Sequence, residues 1–154
     1  MSRILSLLFF AFTTIIPPAI HAMGGNEQPT VSRVDPDFAE GKQAIDAKNW
    51  ARAIESLNKA ATKDARNADI QNYLGYAYRN SGQMDLAFKH YEQALAIDPR
   101  HRGAHEYIGE AYLMVNNLTK AEEHRVALDR ICFLPCQEYT ELKEKIAAYK
   151  SNAK

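Results

Sequence analysis

The sequence predicts an all-α fold, a short solenoid of three helix-turn-helix repeats closed by a C-terminal capping helix. A 34-residue frame recurs three times, carrying Gly41, Gly75 and Gly109, then Trp50, Met84 and Leu118, then Ala53, Ala87 and Ala121. A self-similar period of that length is the mark of a stacking unit, because one helix pair cannot bury its apolar face alone. The remaining chain has apolar residues at helical spacing, Tyr139, Leu142, Ile146 and Tyr149, suited to covering the edge of the last repeat.

The frame places the repeats at 34–67, 68–101 and 102–133, with the capping helix and tail over 134–154. A glycine inside each first helix costs about 1 kcal/mol against alanine, a cost tolerated where another helix approaches the backbone closely. The small side chains of Ala53, Ala87 and Ala121 serve the facing surface. Lys48-Asn49, Gly82-Gln83 and Asn116-Asn117 mark the turns, where Gly and Asn adopt the left-handed conformation that ends a helix. Asp98-Pro99 stops the second helix of the middle repeat, since proline lacks the amide donor and clashes inside a helix.

The middle copy, with Leu74-Gly75, Tyr78, Gly82, Ala87, Tyr91, Ala94 and Pro99, resembles the tetratricopeptide repeat family, and the likeness extends over about residues 34–133. The outer copies depart from the pattern at Glu40, Ala44, Ala65, Arg125 and Phe133, as terminal repeats do when their outer faces meet solvent or a cap. The chain is also similar to small exported bacterial members whose last helix carries a Cys-x3-Cys pair. In proteins of this kind the first helices line a concave groove that holds an extended or helical peptide. The resemblance therefore implies a groove built from Phe38, Lys42, Ile45, Asp46, Asn72, Tyr76, Arg79, Asn80, Glu106, Glu110, Leu113 and Met114, with the packed sides of the helices, Leu74 and Tyr78 in the middle copy, turned away.

Aromatic and apolar members of that set offer contact area, and Arg79, Lys42, Asn72 and Asn80 could meet carboxylates or peptide carbonyls. Glu106 and Glu110, one turn apart, make the third-repeat end acidic. Some family members clamp a terminal carboxylate with lysines and asparagines, and here the two glutamates would repel such a ligand. A plainer alternative is that Arg79 pairs with Glu106 or Glu110 across the groove as part of a solvated face.

The N-terminus has one cation, Arg3, an apolar run from Ile4 to Ile16, and then Pro17-Pro18-Ala19-Ile20-His21-Ala22. This is the layout of a signal peptide over 1–22, followed by a flexible leader at 23–33, and the run falls short of the roughly 20 residues that span a bilayer. An uncleaved anchor is the rival reading. Removing 1–22 leaves 132 residues and takes one of the 19 basic side chains, so 18 face 19 acidic ones, a net charge near −1. That balance gives no footprint for nucleic acid.

Cys132 and Cys136 straddle Phe133-Leu134-Pro135, where the proline breaks one helix and is suited to start the next, expected from Pro135 to Tyr149. In an oxidising compartment the pair most simply forms a disulfide; metal delivery, a redox-active thiol with lowered pKa at Cys136, or two unpaired thiols are the alternatives. His101 and His105 are four apart, but the first falls in the turn after Asp98-Pro99, and His90 and His124 have no ligand set around them. There is no phosphate loop and no nucleophile with a base. The expectation is a non-catalytic interaction module of the cell envelope, periplasmic or secreted, without cofactor, metal or nucleic acid and without stable membrane insertion after signal cleavage. Its partner would be another envelope protein or a peptide. The alternative function is thiol-redox or metal handling by Cys132 and Cys136.

Overall fold

The computed structural model describes residues 35–152, so the expected signal peptide and leader lie outside the described residues. Seven helices follow one another among those residues: α1 Pro36–Asp46, α2 Trp50–Lys63, α3 Ala68–Asn80, α4 Met84–Ile97, α5 Arg102–Met114, α6 Leu118–Ile131 and α7 Gln137–Asn152. Helices α1/α2, α3/α4 and α5/α6 form antiparallel pairs, each stacked on the next, and α7 lies against α5 and α6. No helix among the described residues is long and apolar enough to cross a membrane.

The turns inside the three pairs share one hydrogen-bond pattern. Lys48, Gly82 and Asn116 take φ of 55°, 81° and 59°. The amide that follows each of them reaches back five residues, from Asn49 to the Ala44 carbonyl at 2.8 Å, Gln83 to Tyr78 at 2.9 Å and Asn117 to Tyr112 at 2.8 Å. This left-handed ending satisfies carbonyls that the helix leaves open and turns the chain straight into the next helix. Asn49 and Asn117 then cap the following helices through Arg52 N and Lys120 N, whereas Gln83 makes no such cap.

Three apolar clusters fill the stack. The first joins Ala44, Ala53, Leu57, Ile70 and Leu74; the second Ala87, Tyr91, Ile108 and Ala111; the third Ala121, Leu128, Leu142 and Ile146. Each fully buried Leu or Ile contributes roughly 1.5–3 kcal/mol by leaving water. At Gly75 an added Cβ would come within 2.5 Å of the Tyr91 ring, which explains why a glycine is tolerated in mid-helix.

The last helix differs from expectation. It begins at Gln137, two residues beyond Pro135, and runs on to Asn152. Cys132 and Cys136 are bridged, with their Cα atoms 5.9 Å apart, so residues 132–136 form a closed corner that the helix enters only at its far end. The Cys136 carbonyl accepts the first helical bond, from Thr140 N at 3.1 Å. Phe133 and Leu134 at the corner are exposed.

Candidate functional site

The first helices of the three pairs place aromatic residues along one side of the stack. The Phe38 and Tyr73 rings meet edge-on at 5.6 Å, with Lys42 Nζ 5.8 and 5.4 Å from the two ring centres. Further along, Trp50 meets Tyr76 at 6.2 Å and Tyr76 meets Tyr107 at 5.0 Å. All five rings are half-buried, so each keeps part of a face or edge available for contact.

Arg79 lies against two of these rings. Its guanidinium carbon lies 5.1 Å from the Tyr76 ring centre and 5.5 Å from that of Tyr107. It donates to the Tyr107 carbonyl at 3.1 Å and to Glu110 Oε2 at 2.7 Å. The other Glu110 oxygen pairs with Lys145 from α7. The helical wheel places Arg79 and Asn72 facing away from packed neighbours, and the structure corrects this: Arg79 is 7% and Asn72 4% exposed. The reason is tertiary, since α5 lies across that side of α3 and covers both residues.

Glu106 is buried as well, at 4% exposure. Desolvation, with the carboxylates of Glu141 and Glu110 nearby, pushes its carboxyl up to about 8, which favours the protonated form. Glu141 goes the other way, lowered by its bonds to Gln137 and Glu106. The third-repeat end is therefore less negative than Glu106 and Glu110 suggest in sequence, the first having its carboxyl raised and the second being flanked by two cations.

A cavity of about 490 Å³ opens between α3, α5 and α7, lined among others by Asn72, Tyr73, Glu106, Tyr107 and Glu141. Two buried oxygens belonging to its lining residues, Asn72 Oδ1 and Glu106 Oε1, have no hydrogen-bond partner among the described residues. Gly103 also lines it, and a Cβ there would press on Asn72 Nδ2 at 3.2 Å.

The structure thus gathers the expected groove residues into two groups. Tyr76, Arg79 and Glu110 form an aromatic and ionic junction, and Asn72 and Glu106 line the cavity. Phe38 and Lys42 stand together at the α1 end, where Ile45 packs on the first core cluster and Asp46 is exposed. Asn80 turns back to bond the Tyr76 carbonyl at 2.8 Å, Leu113 packs on the third cluster, and Met114 is 60% exposed at the end of α5. Sequence reasoning missed Trp50, Tyr107, Glu141 and Lys145. Tyr107 was within reach, being one 34-residue step beyond Tyr73; the two α7 residues follow from how the cap docks.

The histidines pair differently from their spacing. His101 caps α5 through Ala104 N at 3.0 Å, and His105 Nδ1 lies 2.9 Å from His124 Nδ1 on α6. His105 Nε2 is 3.0 Å from the Pro99 carbonyl and must donate to it, which leaves its Nδ1 to accept from His124. Burial, reinforced by His105, pushes His124 down to about 4. No group of three or more His, Cys, Asp or Glu residues is placed to hold a metal among the described residues.

Residues 68–101 match the family model of the tetratricopeptide repeat. The chain is 32% identical to protein ycf37 of Pyropia yezoensis over a stretch covering 58% of this chain and 57% of that one. It is 29% identical to the human protein O-mannosyl-transferase TMTC3 over 49% of this chain and 8% of that protein. The chain therefore spans well under two thirds of either relative. Among solved structures, the type III secretion translocator chaperone SycD of Yersinia enterocolitica superposes with a TM-score of 0.67 at 17% identity, covering 76% of this chain and 83% of that one. PcrH, solved with the chaperone binding region of PopD, gives 0.67 at 16% identity, with 77% and 91% covered. The first repeat domain of Spaghetti (RPAP3), bound to an HSP90 peptide, gives 0.66 at 17% identity, with 75% and 90% covered. These likenesses establish the fold as a tetratricopeptide-type solenoid.

Proposed function

We propose that this protein is a non-catalytic protein–protein interaction module of the cell envelope, an adaptor or assembly factor that binds an extended or helical segment of another protein along the side lined by α1, α3 and α5. The observation that carries the reading is the run of half-buried rings from Trp50 through Tyr76 to Tyr107, beside an open cavity. Partly exposed aromatic side chains backed by a rigid helix stack supply contact area at small entropic cost. Structures sharing this fold were solved with a chaperone binding region and with an HSP90 peptide, which supports a peptide-binding use of the same architecture. The signal-like N-terminus and the cysteine pair support an exported location. The bridge between Cys132 and Cys136 favours a structural role for the pair over thiol or metal chemistry, because a bridged sulfur has no thiolate to offer.

A photo-crosslinking amino acid placed at Tyr76, or at Glu92 on the exposed side of α4, tests the reading in cells. The expected result is a discrete adduct from position 76 and none from 92. Equal adducts, or adducts from 92 alone, would move the binding surface to the second helices.

A further inference from the structure

We propose that the cavity between α3, α5 and α7 receives the ammonium group of a lysine side chain from the bound partner segment, held by Asn72, Glu106 and Glu141. The inference rests on the groove reading above and adds the chemistry of the partner.

The cavity presents acceptors in need of donors. Asn72 Oδ1 and Glu106 Oε1 lack partners, although both residues are 4% exposed, and leaving such atoms unpaired is costly. The cations on the walls each have a neighbouring acceptor. Arg102 Nε lies 3.7 Å from Glu138, His101 Nε2 bonds Asp69 at 3.0 Å, and the Arg100 guanidinium reaches out to the Ile131 carbonyl at 3.3 Å. Lys145 and Arg79 are both engaged by Glu110. A carboxylate ligand would face Glu106 and Glu141.

An ammonium fits this set better than the other donors. Its three N–H bonds match three oxygens from Asn72, Glu106 and Glu141, and its charge answers the carboxylates. A guanidinium presents its donors in a rigid plane matched to one carboxylate, and not to oxygens that come from three different helices. A divalent cation of the calcium type asks for six to eight oxygens. The Tyr73 and Tyr107 rings line the cavity and can cover the four-carbon stem of a lysine, and the volume admits such a side chain.

Charge balance makes the binding proton-linked. In the free protein burial, Glu141 and Glu110 push Glu106 toward its protonated form, with Lys145 opposing. When an ammonium enters, Glu106 loses that proton to solvent and the pair becomes two carboxylates around one cation. The other charged wall groups, Asp69 with His101 and Arg102 with Glu138, stay in their own pairs, and Asp98 accepts from Arg100 N at 2.9 Å. Affinity therefore rises with pH and levels off near 8, while a free lysine stays charged throughout.

The test uses a displayed library of random 12-residue peptides selected on the purified protein. Each recovered lysine is compared with its Nε-acetyl form, on the wild type and on Glu106→Gln and Glu141→Gln. The expected result is a register-specific lysine whose acetylation weakens binding tenfold or more on wild type and less than twofold on Glu106→Gln. Wild-type affinity should also climb more than tenfold between pH 6 and 8, a slope absent from Glu106→Gln. Peptides that compete at Tyr76 but carry no such lysine, or lose equal affinity on all three proteins, would overturn the ammonium site and leave the groove standing. Saturable calcium binding that displaces the lysine peptides would assign the cavity to a metal instead. Peptides indifferent to Tyr76→Ala would overturn the groove itself.

Discussion

Leu142 of the capping helix packs its δ-methyls onto the bare backbone of Gly109, where an added Cβ would come within 2.6 Å of Leu142 Cδ2. In the first two repeats the residue that fills the corresponding space comes from within the repeat, Leu57 over Gly41 and Tyr91 over Gly75. The third repeat has Arg125 at that place in its frame, paired with Glu122 at 2.7 Å and lying 5.9 Å from the Tyr139 ring centre. The atypical third repeat is therefore completed by α7 and not by its own second helix.

Gly109→Ala should push α7 off its seat and destabilise the protein by about 1–3 kcal/mol, the usual cost of overpacking. Leu142→Ala should cost about 2–5 kcal/mol through the cavity it leaves. Chemical denaturation of both variants, with hydrogen exchange over 137–152, would show α7 losing protection first. Unchanged exchange in α7 would contradict the docking.

Ala87, buried at 0% exposure, belongs to the second core cluster, where there is no room for a larger side chain without displacing neighbours. Ala87→Leu should lower stability by roughly 1–3 kcal/mol. An unchanged thermal midpoint would contradict the close packing at this position.

Arg79→Ala should cost about 3 kcal/mol, toward the low end for breaking a buried pair because Lys145 still neutralises Glu110. A double-mutant cycle with Glu110→Gln should return a coupling well above that of an exposed pair. Zero coupling would mean that the two side chains stabilise the fold independently.

His124 lies near 4 when folded and near its ordinary 6.5 when unfolded, so it stays neutral in the fold. Its stabilising contribution is present above pH 6.5 and is lost as pH falls through that window toward 4, because the unfolded chain then binds more protons. Glu106, raised to about 8, acts in the opposite sense and favours the fold on acidification from 8 toward 4.5. Comparing wild type with His124→Gln isolates the histidine: between pH 7.5 and 5 the wild-type thermal midpoint should fall further than that of the variant. Parallel curves would exclude His124 as the acid-sensitive group.

Reduction of the Cys132–Cys136 bridge closes no large loop in reverse, so the expected loss is about 1–2 kcal/mol. It should loosen residues 137–152 before the repeats unfold. A thiol count on protein purified without reductant checks the premise, and two free thiols would favour the thiol-redox or metal reading.

The repeat architecture was legible because each helix boundary is set by local chemistry. The Lys48, Gly82 and Asn116 endings and the Asn49 and Asn117 caps act within a few residues of chain, so a 34-residue frame carries them intact. The direction of Tyr76 and Phe38 also follows from helical periodicity, which depends only on sequence separation. The start of α7 was misjudged by two residues because the bridge at its entrance overrides the preference of proline for a first turn.

What the sequence determined by itself was the all-helical solenoid, its turns and the side of each first helix that carries aromatic residues. Only the tertiary structure decided that Asn72, Arg79 and Glu106 are covered, that Glu110 stands between Arg79 and Lys145, and that Glu141 completes a wall of the cavity. The physical reason is that burial and charge state depend on which helix crosses above a residue. The contacts of α5 with α3 and with α7 join residues separated by about 30 to 35 positions, beyond the reach of any helical period.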